Sequence, residues 1–160
     1  MTDDTLQIGA KAPPFALRNQ DGREVALKGL LGKWIVLYFY PKDDTPGCTT
    51  EACEFTSQWK SFEALDAQVV GVSPDSPPEH QKFIAKYDLK VELLSDPDHA
   101  VLQRYGAWGE KTMYGKKSAG AIRSTVILDP QGKIAYRWSK VTAAGHAQAV
   151  AEKLGQLQET

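Results

Sequence analysis

A run of seven apolar and aromatic residues, Trp34 to Tyr40, constrains the fold of this chain most strongly. The run has the length of a strand and lies between Gly32 and Pro41, which is typical of a central strand that is buried on both faces. The dipeptide Thr45-Pro46 then matches a helix N-cap followed by proline at the first helical position. The sequence therefore predicts a buried strand that leads through a short turn into a helix.

Strand and helix patterns alternate along the rest of the chain. The predicted strands are 15–18, 23–27, 34–40, 68–73, 91–94, 122–128 and 133–138, and the predicted helices are 49–65, 77–87, 98–105 and 143–158. The stretch 106–120 has four glycines, three lysines and no periodicity, so we expect an ordered surface loop with a role near the functional site. This order predicts a thioredoxin-like α/β sandwich with a central mixed sheet and an N-terminal β-hairpin.

Composition and charge restrict the class of protein. A chain of 160 residues with 42% apolar and 24% charged residues is typical of one soluble globular domain, here 1–160. The formal net charge of −1 argues against a nucleic-acid or anionic-membrane partner. The N-terminus has acids where a signal peptide needs Lys or Arg, and no apolar run is as long as a membrane span. We therefore expect a cytoplasmic protein.

The chain has two cysteines, Cys48 and Cys53, and both lie at the predicted helix start. Free backbone N–H groups and the positive end of the helix dipole favour a thiolate at Cys48. Residues five apart on an ideal helix have Cα atoms roughly 8.6 Å apart, whereas a disulfide needs a separation below about 7 Å. We expect a transient redox couple, in which Cys48 reacts, the helix start unwinds, and Cys53 attacks it.

Other interpretations of these cysteines remain open. They can be buried small side chains or a static disulfide. A metal site would need them to join His80, His99 or His146, but metal-binding spacings are missing, so we expect no metal, no cofactor and surface histidines. A thioredoxin-type disulfide oxidoreductase is the strongest rival, although it normally uses Cys-x-x-Cys. A chaperone that exposes the four tryptophans is a third possibility, although their spacing favours the core.

The segment Phe39-Tyr-Pro-Lys-Asp-Asp-Thr-Pro-Gly-Cys-Thr-Thr-Glu-Ala-Cys-Glu-Phe55 resembles the peroxiredoxins, specifically their bacterioferritin comigratory protein or peroxiredoxin Q branch. It fits the family core Pro-x-x-x-Thr-x-x-Cys, and residues 122–129 look like the family's arginine-bearing strand. The resemblance extends from about residue 6 to 157. It implies a thiol peroxidase that reduces hydrogen peroxide and organic hydroperoxides and is recycled by thioredoxin or glutaredoxin.

The resemblance also implies which residues act. Cys48 would attack the peroxide, and its sulfenic acid would condense with Cys53, because the family's other position for a resolving cysteine, on the following helix, holds Ile84 here.

Four other matched residues would support the peroxide. Arg123 would be the cation beside the sulfur and the peroxide oxygens. Thr45 would cap the helix and hydrogen-bond the peroxide, while Pro41 would shield the sulfur from water. The backbone N–H groups of Gly47 and Cys48 would form an oxyanion site. An intramolecular resolving thiol removes the chemical need for a second subunit, so we expect a monomer.

Overall fold

The computed structural model describes residues 6–113 and 115–159. The first five residues, which include the acids that argue against a signal peptide, lie outside the described residues. Tyr114 of the predicted loop and Thr160 also lie outside them. Within the described ranges, no helix is both long enough and apolar enough to cross a membrane.

The helices and strands follow one another in an alternating order. In chain order they are β1 (Ala16–Asn19), β2 (Glu24–Ala26), α1 (Leu27–Leu30), β3 (Trp34–Phe39), α2 (Pro46–Ser57), α3 (Trp59–Ala64), β4 (Ala67–Ser73), α4 (Pro77–Tyr87), β5 (Glu92–Ser95), α5 (Ala100–Arg104), β6 (Trp108–Met113), β7 (Lys116–Ala121), β8 (Ser124–Leu128), β9 (Ile134–Trp138) and α6 (His146–Gln158).

Among the described residues, seven strands form one mixed sheet in the order β2-β1-β5-β4-β3-β8-β9. The central strands β3, β4 and β5 are parallel to one another. The β1–β2 hairpin and the β8–β9 hairpin extend this centre on its two sides as antiparallel strands. The predicted thioredoxin-like sandwich, with its mixed sheet and N-terminal hairpin, is confirmed.

Strand β3 is apolar throughout because both of its faces are buried. Ile35, Leu37 and Phe39 point into a first core, which α1 and α5 cover. Val36 and Tyr38 point into a second core, which is covered by side chains of α2, α3, α4 and α6. The second core contains Cys48, so the start of α2 lies on this face, at the carboxyl end of β3.

The helix predicted at 49–65 is two helices. The first begins at Pro46, as the Thr45-Pro46 dipeptide predicts, and it ends before Gln58, where φ is −92° and ψ is 8°. The apolar spacing continues across the break, so the sequence pattern does not reveal it. Phe55 and Phe62, on the two sides, enter the same core with ring centroids 5.8 Å apart. The last helix begins at His146 rather than at 143.

The prediction of a loop at 106–120 is wrong, because β6 and β7 form an antiparallel hairpin there. Small and charged residues dominate its sequence, so it has neither the alternation nor the β-branched content by which strands are recognised. The ring of Trp108 stacks on His99, with centroids 3.8 Å apart, which attaches the hairpin to the start of α5. The short helix α1 has no prediction either, since four residues are too few to show a helical period.

Candidate active site

The loop after β3 and the first turn of α2 carry most of the predicted site residues. Thr45 is the N-cap residue, with φ −102° and ψ 156°, and Pro46 opens the helix, as predicted. The predicted side-chain cap is wrong, because Thr45 Oγ1 instead donates a hydrogen bond to the carbonyl oxygen of Lys42 at 2.8 Å. The first-turn N–H groups of Gly47 and Cys48 therefore receive no cap from this side chain, and uncapped N–H groups at a helix start can bind an anion.

The thiol of Cys48 is buried, with 1% of the residue exposed, and is in contact with Arg123. The Nη2 atom of Arg123 donates to Cys48 Sγ at 3.2 Å, although the two residues are 75 positions apart in the chain. Arg123 lies just before β8 rather than within a strand, so that part of the prediction is wrong. Its carbonyl oxygen accepts a hydrogen bond from the Val141 amide at 2.9 Å, which fixes the backbone from which the guanidinium extends.

Gly47 makes the approach of this guanidinium possible. A Cβ atom at position 47 would lie 3.0 Å from Arg123 Nη2, closer than side chains normally come. The absence of a side chain thus allows Arg123 to reach the sulfur across the first turn of α2.

Glu51 is a site residue that the sequence analysis missed. Arg123 Nη1 donates to Glu51 Oε1 at 2.7 Å, so one guanidinium joins the carboxyl group and the Cys48 sulfur. Glu51 is fully buried, and its Oε2 has no hydrogen-bond partner among the described residues. Burial raises the pKa of Glu51 to about 7, against the opposing charge of Arg123. Its position three residues after Cys48, on the apolar face of the helix, was the available signal.

His146, in the first turn of α6, is buried, contrary to the prediction of surface histidines. Its Nε2 is 2.8 Å from Thr125 Oγ1, and its ring meets Trp138 edge-on. Burial, reinforced by the charge of Arg123, lowers the pKa of His146 to about 4. The imidazole is therefore neutral at pH 7 and does not repel Arg123.

Cys53 lies five residues after Cys48 in the same unbroken helix, and both thiols are unpaired. It is half-buried against the second core, and burial raises the pKa of its thiol. Helix geometry separates the two Cα atoms by roughly 8.6 Å. A disulfide between them thus requires α2 to unwind.

Pro41 and the residues after it form the loop between β3 and α2, and this loop is tied to α4. Asp43 pairs with His80, which is fully buried and so also contradicts the prediction of surface histidines. One oxygen or nitrogen from each of Asp43, Asp75 and His80 lies within 4.8 Å of the others, a spacing compatible with a metal ion. These groups already bind one another and the hydroxyls of Tyr40 and Ser73, so they form a satisfied hydrogen-bond network.

The arrangement around Cys48 suits chemistry on an anion. A cation contacts the sulfur, and a buried carboxyl group accepts a hydrogen bond from the same cation. Preorganised donors of this kind stabilise charge that develops on a reacting oxygen.

The chain is similar to known proteins over nearly its whole length. The model of the AhpC/TSA family matches residues 8–137. A putative peroxiredoxin Bcp from Helicobacter pylori strain J99 is 50% identical, over 94% of this chain and 99% of that protein. Peroxiredoxin Bcp from Bacillus subtilis strain 168 is 43% identical, over 97% of this chain and 99% of that protein.

Solved structures show the same similarity. The bacterioferritin comigratory protein of Xanthomonas campestris, studied as trapped intermediate and ligand complexes of alkyl peroxide reduction, superposes with a TM-score of 0.84 at 41% identity, over 89% of this chain and 90% of that one. A cysteine-to-serine mutant of PrxQ from Xylella fastidiosa superposes with a TM-score of 0.90 at 35% identity, over 96% of this chain and 98% of that one.

Proposed function

This chain belongs to the AhpC/TSA family and is a thiol peroxidase of the peroxiredoxin type, and on that premise we propose that Cys48 is its peroxide-reducing thiolate and Cys53 its resolving thiol. The observation that carries this proposal is the guanidinium of Arg123, which donates to the Cys48 sulfur and is oriented by the buried Glu51.

In the first step, the Cys48 thiolate attacks one oxygen of the hydroperoxide. The S–O bond forms as the O–O bond breaks, and the second oxygen leaves as hydroxide or alkoxide and takes up a proton to become water or an alcohol. Arg123 and the N–H groups of Gly47 and Cys48 stabilise the negative charge as it moves from sulfur to oxygen. The product at Cys48 is a sulfenic acid.

Thr45 and Pro41 orient the substrate in this proposal. The hydroxyl proton of Thr45 is already donated to the Lys42 carbonyl, which leaves the lone pairs of Oγ1 to accept a hydrogen bond from the O–H of the peroxide. Pro41 covers the sulfur on the loop side and lacks an N–H group that would compete for the peroxide.

In the second step, the start of α2 unwinds and Cys53 attacks the sulfenic sulfur, which releases water and forms the Cys48–Cys53 disulfide. While the helix is intact, burial raises the pKa of the Cys53 thiol and so disfavours its thiolate. Unwinding exposes the thiol to water, which favours the thiolate that attacks. The same motion therefore closes the distance between the sulfurs and activates the second one.

The proposed function also includes the substrates, the reductant, the location and the oligomeric state. The substrates are hydrogen peroxide and organic hydroperoxides, and a thioredoxin or a glutaredoxin reduces the disulfide. The protein acts in the cytoplasm. It acts as a monomer, because its resolving thiol is in the same chain. Turnover with each purified reductant identifies the donor, and sedimentation of both redox states tests for a monomer.

Two matched serine variants test the assignment of the cysteines. Cys48→Ser should abolish peroxide consumption. Cys53→Ser should consume about one equivalent of peroxide and then stop, because its sulfenic acid has no intramolecular partner. Intact-mass analysis of oxidised wild type should show the loss of two hydrogens. Normal turnover of Cys53→Ser with thioredoxin would show that Cys53 is not the resolving thiol.

A further inference from the structure

Helix α4 is joined to the loop that precedes Cys48 by one fully buried histidine. The Nδ1 atom of His80 is 2.6 Å from Asp43 Oδ2, and its Nε2 is 3.1 Å from the carbonyl oxygen of Leu94 in β5. His80 thus connects the loop to the sheet through both ring nitrogens.

These partners determine how many protons the pair holds. A carbonyl oxygen only accepts hydrogen bonds, so Nε2 of His80 carries a hydrogen. The 2.6 Å contact between Nδ1 and Asp43 requires one more proton, either on the nitrogen or on the carboxyl oxygen. In both cases the pair has zero net charge, and a buried carboxyl group is compensated without solvent.

Asp43 is held from other directions as well. Its Oδ1 accepts the hydroxyl of Tyr40 at 2.5 Å, and its amide donates to Asp75 Oδ2 at 2.8 Å. The same Asp75 oxygen accepts the hydroxyl of Ser73 at 2.7 Å. The side chain of Asp43 is therefore fixed to α4 and to the residue after β3, and its backbone is fixed to the connection between β4 and α4.

The next residue, Asp44, is fixed to the same helix. It has a left-handed backbone with φ 58°, which is uncommon for a residue other than glycine. Its carboxylate accepts hydrogen bonds from Lys86 Nζ at 2.8 Å and from the Tyr87 hydroxyl at 2.6 Å. The next residue, Thr45, begins a less firmly held segment, because the first turn of α2 has no side-chain cap.

We propose that His80 is a positioning residue of the peroxidase reaction, which acts through Asp43 to hold the loop that presents Pro41 and Thr45 and to form the fixed end from which α2 unwinds. The second half of this inference rests on the proposed function, since it requires the disulfide between Cys48 and Cys53. The boundary between the anchored Asp43-Asp44 pair and the uncapped helix start determines where opening begins.

Two substitutions of His80 separate a positioning role from a structural one. Asparagine places its amide nitrogen near the site of Nδ1 and keeps a donor to Asp43, whereas glutamine places it near the site of Nε2 and keeps only the donor to Leu94. His80→Gln should slow the oxidation of Cys48 by hydrogen peroxide at least about 10-fold, because misplaced site groups cost rate steeply. His80→Asn should recover most of that loss.

Tyr105→Phe is the matched control. It removes a tyrosine hydrogen bond to the Pro13 carbonyl oxygen, 2.6 Å long, in the first core on the opposite face of the sheet. We expect a lower unfolding midpoint with an unchanged rate of Cys48 oxidation. Equal oxidation rates in His80→Gln, His80→Asn and wild type, measured by stopped flow below their midpoints, would overturn the positioning role.

Amide hydrogen exchange of the wild-type protein tests the fixed end without any substitution. The Asp43 amide should stay protected in both the dithiol and the disulfide forms, whereas the Thr49 amide, which donates to the Thr45 carbonyl at 2.8 Å, should lose its protection on oxidation. Loss of protection at both positions would overturn the fixed end. If mass analysis finds no disulfide, the resolving role of Cys53 is wrong, and the oxidation rates of the His80 variants still decide the positioning role.

Discussion

The surroundings of Cys48 and Cys53 differ sharply, although one helix carries both residues. Cys48 is in hydrogen-bond contact with a guanidinium and lies at the N-terminal end of the helix dipole. Cys53, one and a half turns further, packs against an apolar core, and burial raises the pKa of its thiol. The comparison teaches that position within the helix gives two residues of the same type different electrostatic surroundings.

The polar surroundings of Cys48 come mostly from distant parts of the chain. Arg123 comes from the segment before β8, and His146 comes from the first turn of α6. Glu51 is the one member that shares a helix with both thiols, and its carboxyl group points to the Cys48 side. Four experiments test whether the polar surroundings act on Cys48 and leave Cys53 unaffected.

Removal of the guanidinium should have the largest effect. Arg123→Met keeps the length of the side chain but removes the donor to Cys48 Sγ, and we expect the oxidation of Cys48 to slow by about 10²- to 10³-fold, the usual effect of losing one preorganised donor. Arg123→Lys keeps the charge without the two-pronged geometry and should fall between. The rate at which Cys53 is alkylated, monitored by mass spectrometry, should not change. A wild-type oxidation rate in Arg123→Met would remove the basis of the comparison.

The pH dependence of stability tests the two buried groups beside Arg123. The raised pKa of Glu51 contributes stability that is complete below its unfolded value of 4.5 and is lost as the pH rises to about 7. The lowered pKa of His146 contributes stability that is complete above 6.5 and is lost as the pH falls to about 4. Each contribution is at most about 3 kcal/mol, and the two oppose each other between these limits.

Single substitutions should separate the two contributions. Relative to wild type, Glu51→Gln should lose stability as the pH falls from 7 to 4.5, because only the His146 contribution remains. His146→Gln, which keeps a polar group near Thr125, should show the opposite change. Urea unfolding at several pH values measures both differences, and Cys53→Ser, on the apolar side, should follow wild type. Parallel profiles for all variants would contradict the opposing pKa shifts.

A methyl group at position 47 should have a moderate effect. In Gly47→Ala, the new Cβ lies 3.0 Å from Arg123 Nη2, so the guanidinium must move away from the sulfur by a few tenths of an ångström. We expect the oxidation of Cys48 to slow by about 10-fold, since small errors in position are costly to rate. Gly155→Ala in α6 is the control, because a Cβ there meets no atom within 4 Å. Equal rates in both variants would show that Arg123 adapts without cost.

Removal of the Thr45 hydroxyl should have the smallest effect. Thr45→Val loses the hydrogen bond to the Lys42 carbonyl and should reduce the free energy of unfolding by about 1 kcal/mol. Thr45→Ser keeps the hydroxyl and should stay closer to wild type in both stability and oxidation rate. Urea unfolding and stopped flow provide the two measurements. If Thr45→Val oxidises at the wild-type rate, the hydroxyl does not take part in peroxide binding.

Much of the fold is predictable because its signals are local. The buried run of β3, the paired prolines at the start of α4 and the Asp-Pro-Gln-Gly turn between β8 and β9 each appear within a few residues. The β6–β7 hairpin and the break at Gln58 were missed, because backbone pairing and core packing decide them without a local pattern. Proximity of Arg123 to Cys48 was expected from the family resemblance, while Glu51, His80 and His146 were not recognised as buried polar partners.

The sequence by itself determined the alternation of strands and helices, the position of Cys48 in the first turn of α2, and the spacing that keeps Cys53 out of disulfide reach while the helix is intact. These properties follow from backbone geometry, which acts over a few residues. Only the tertiary structure decided which charges surround each thiol. Folding brings Arg123 and Cys48 together across 75 positions, and burial then shifts the pKa of Glu51 and of His146 in opposite directions. Electrostatic environment depends on distance and on access to water, and neither is written in a local pattern of residues.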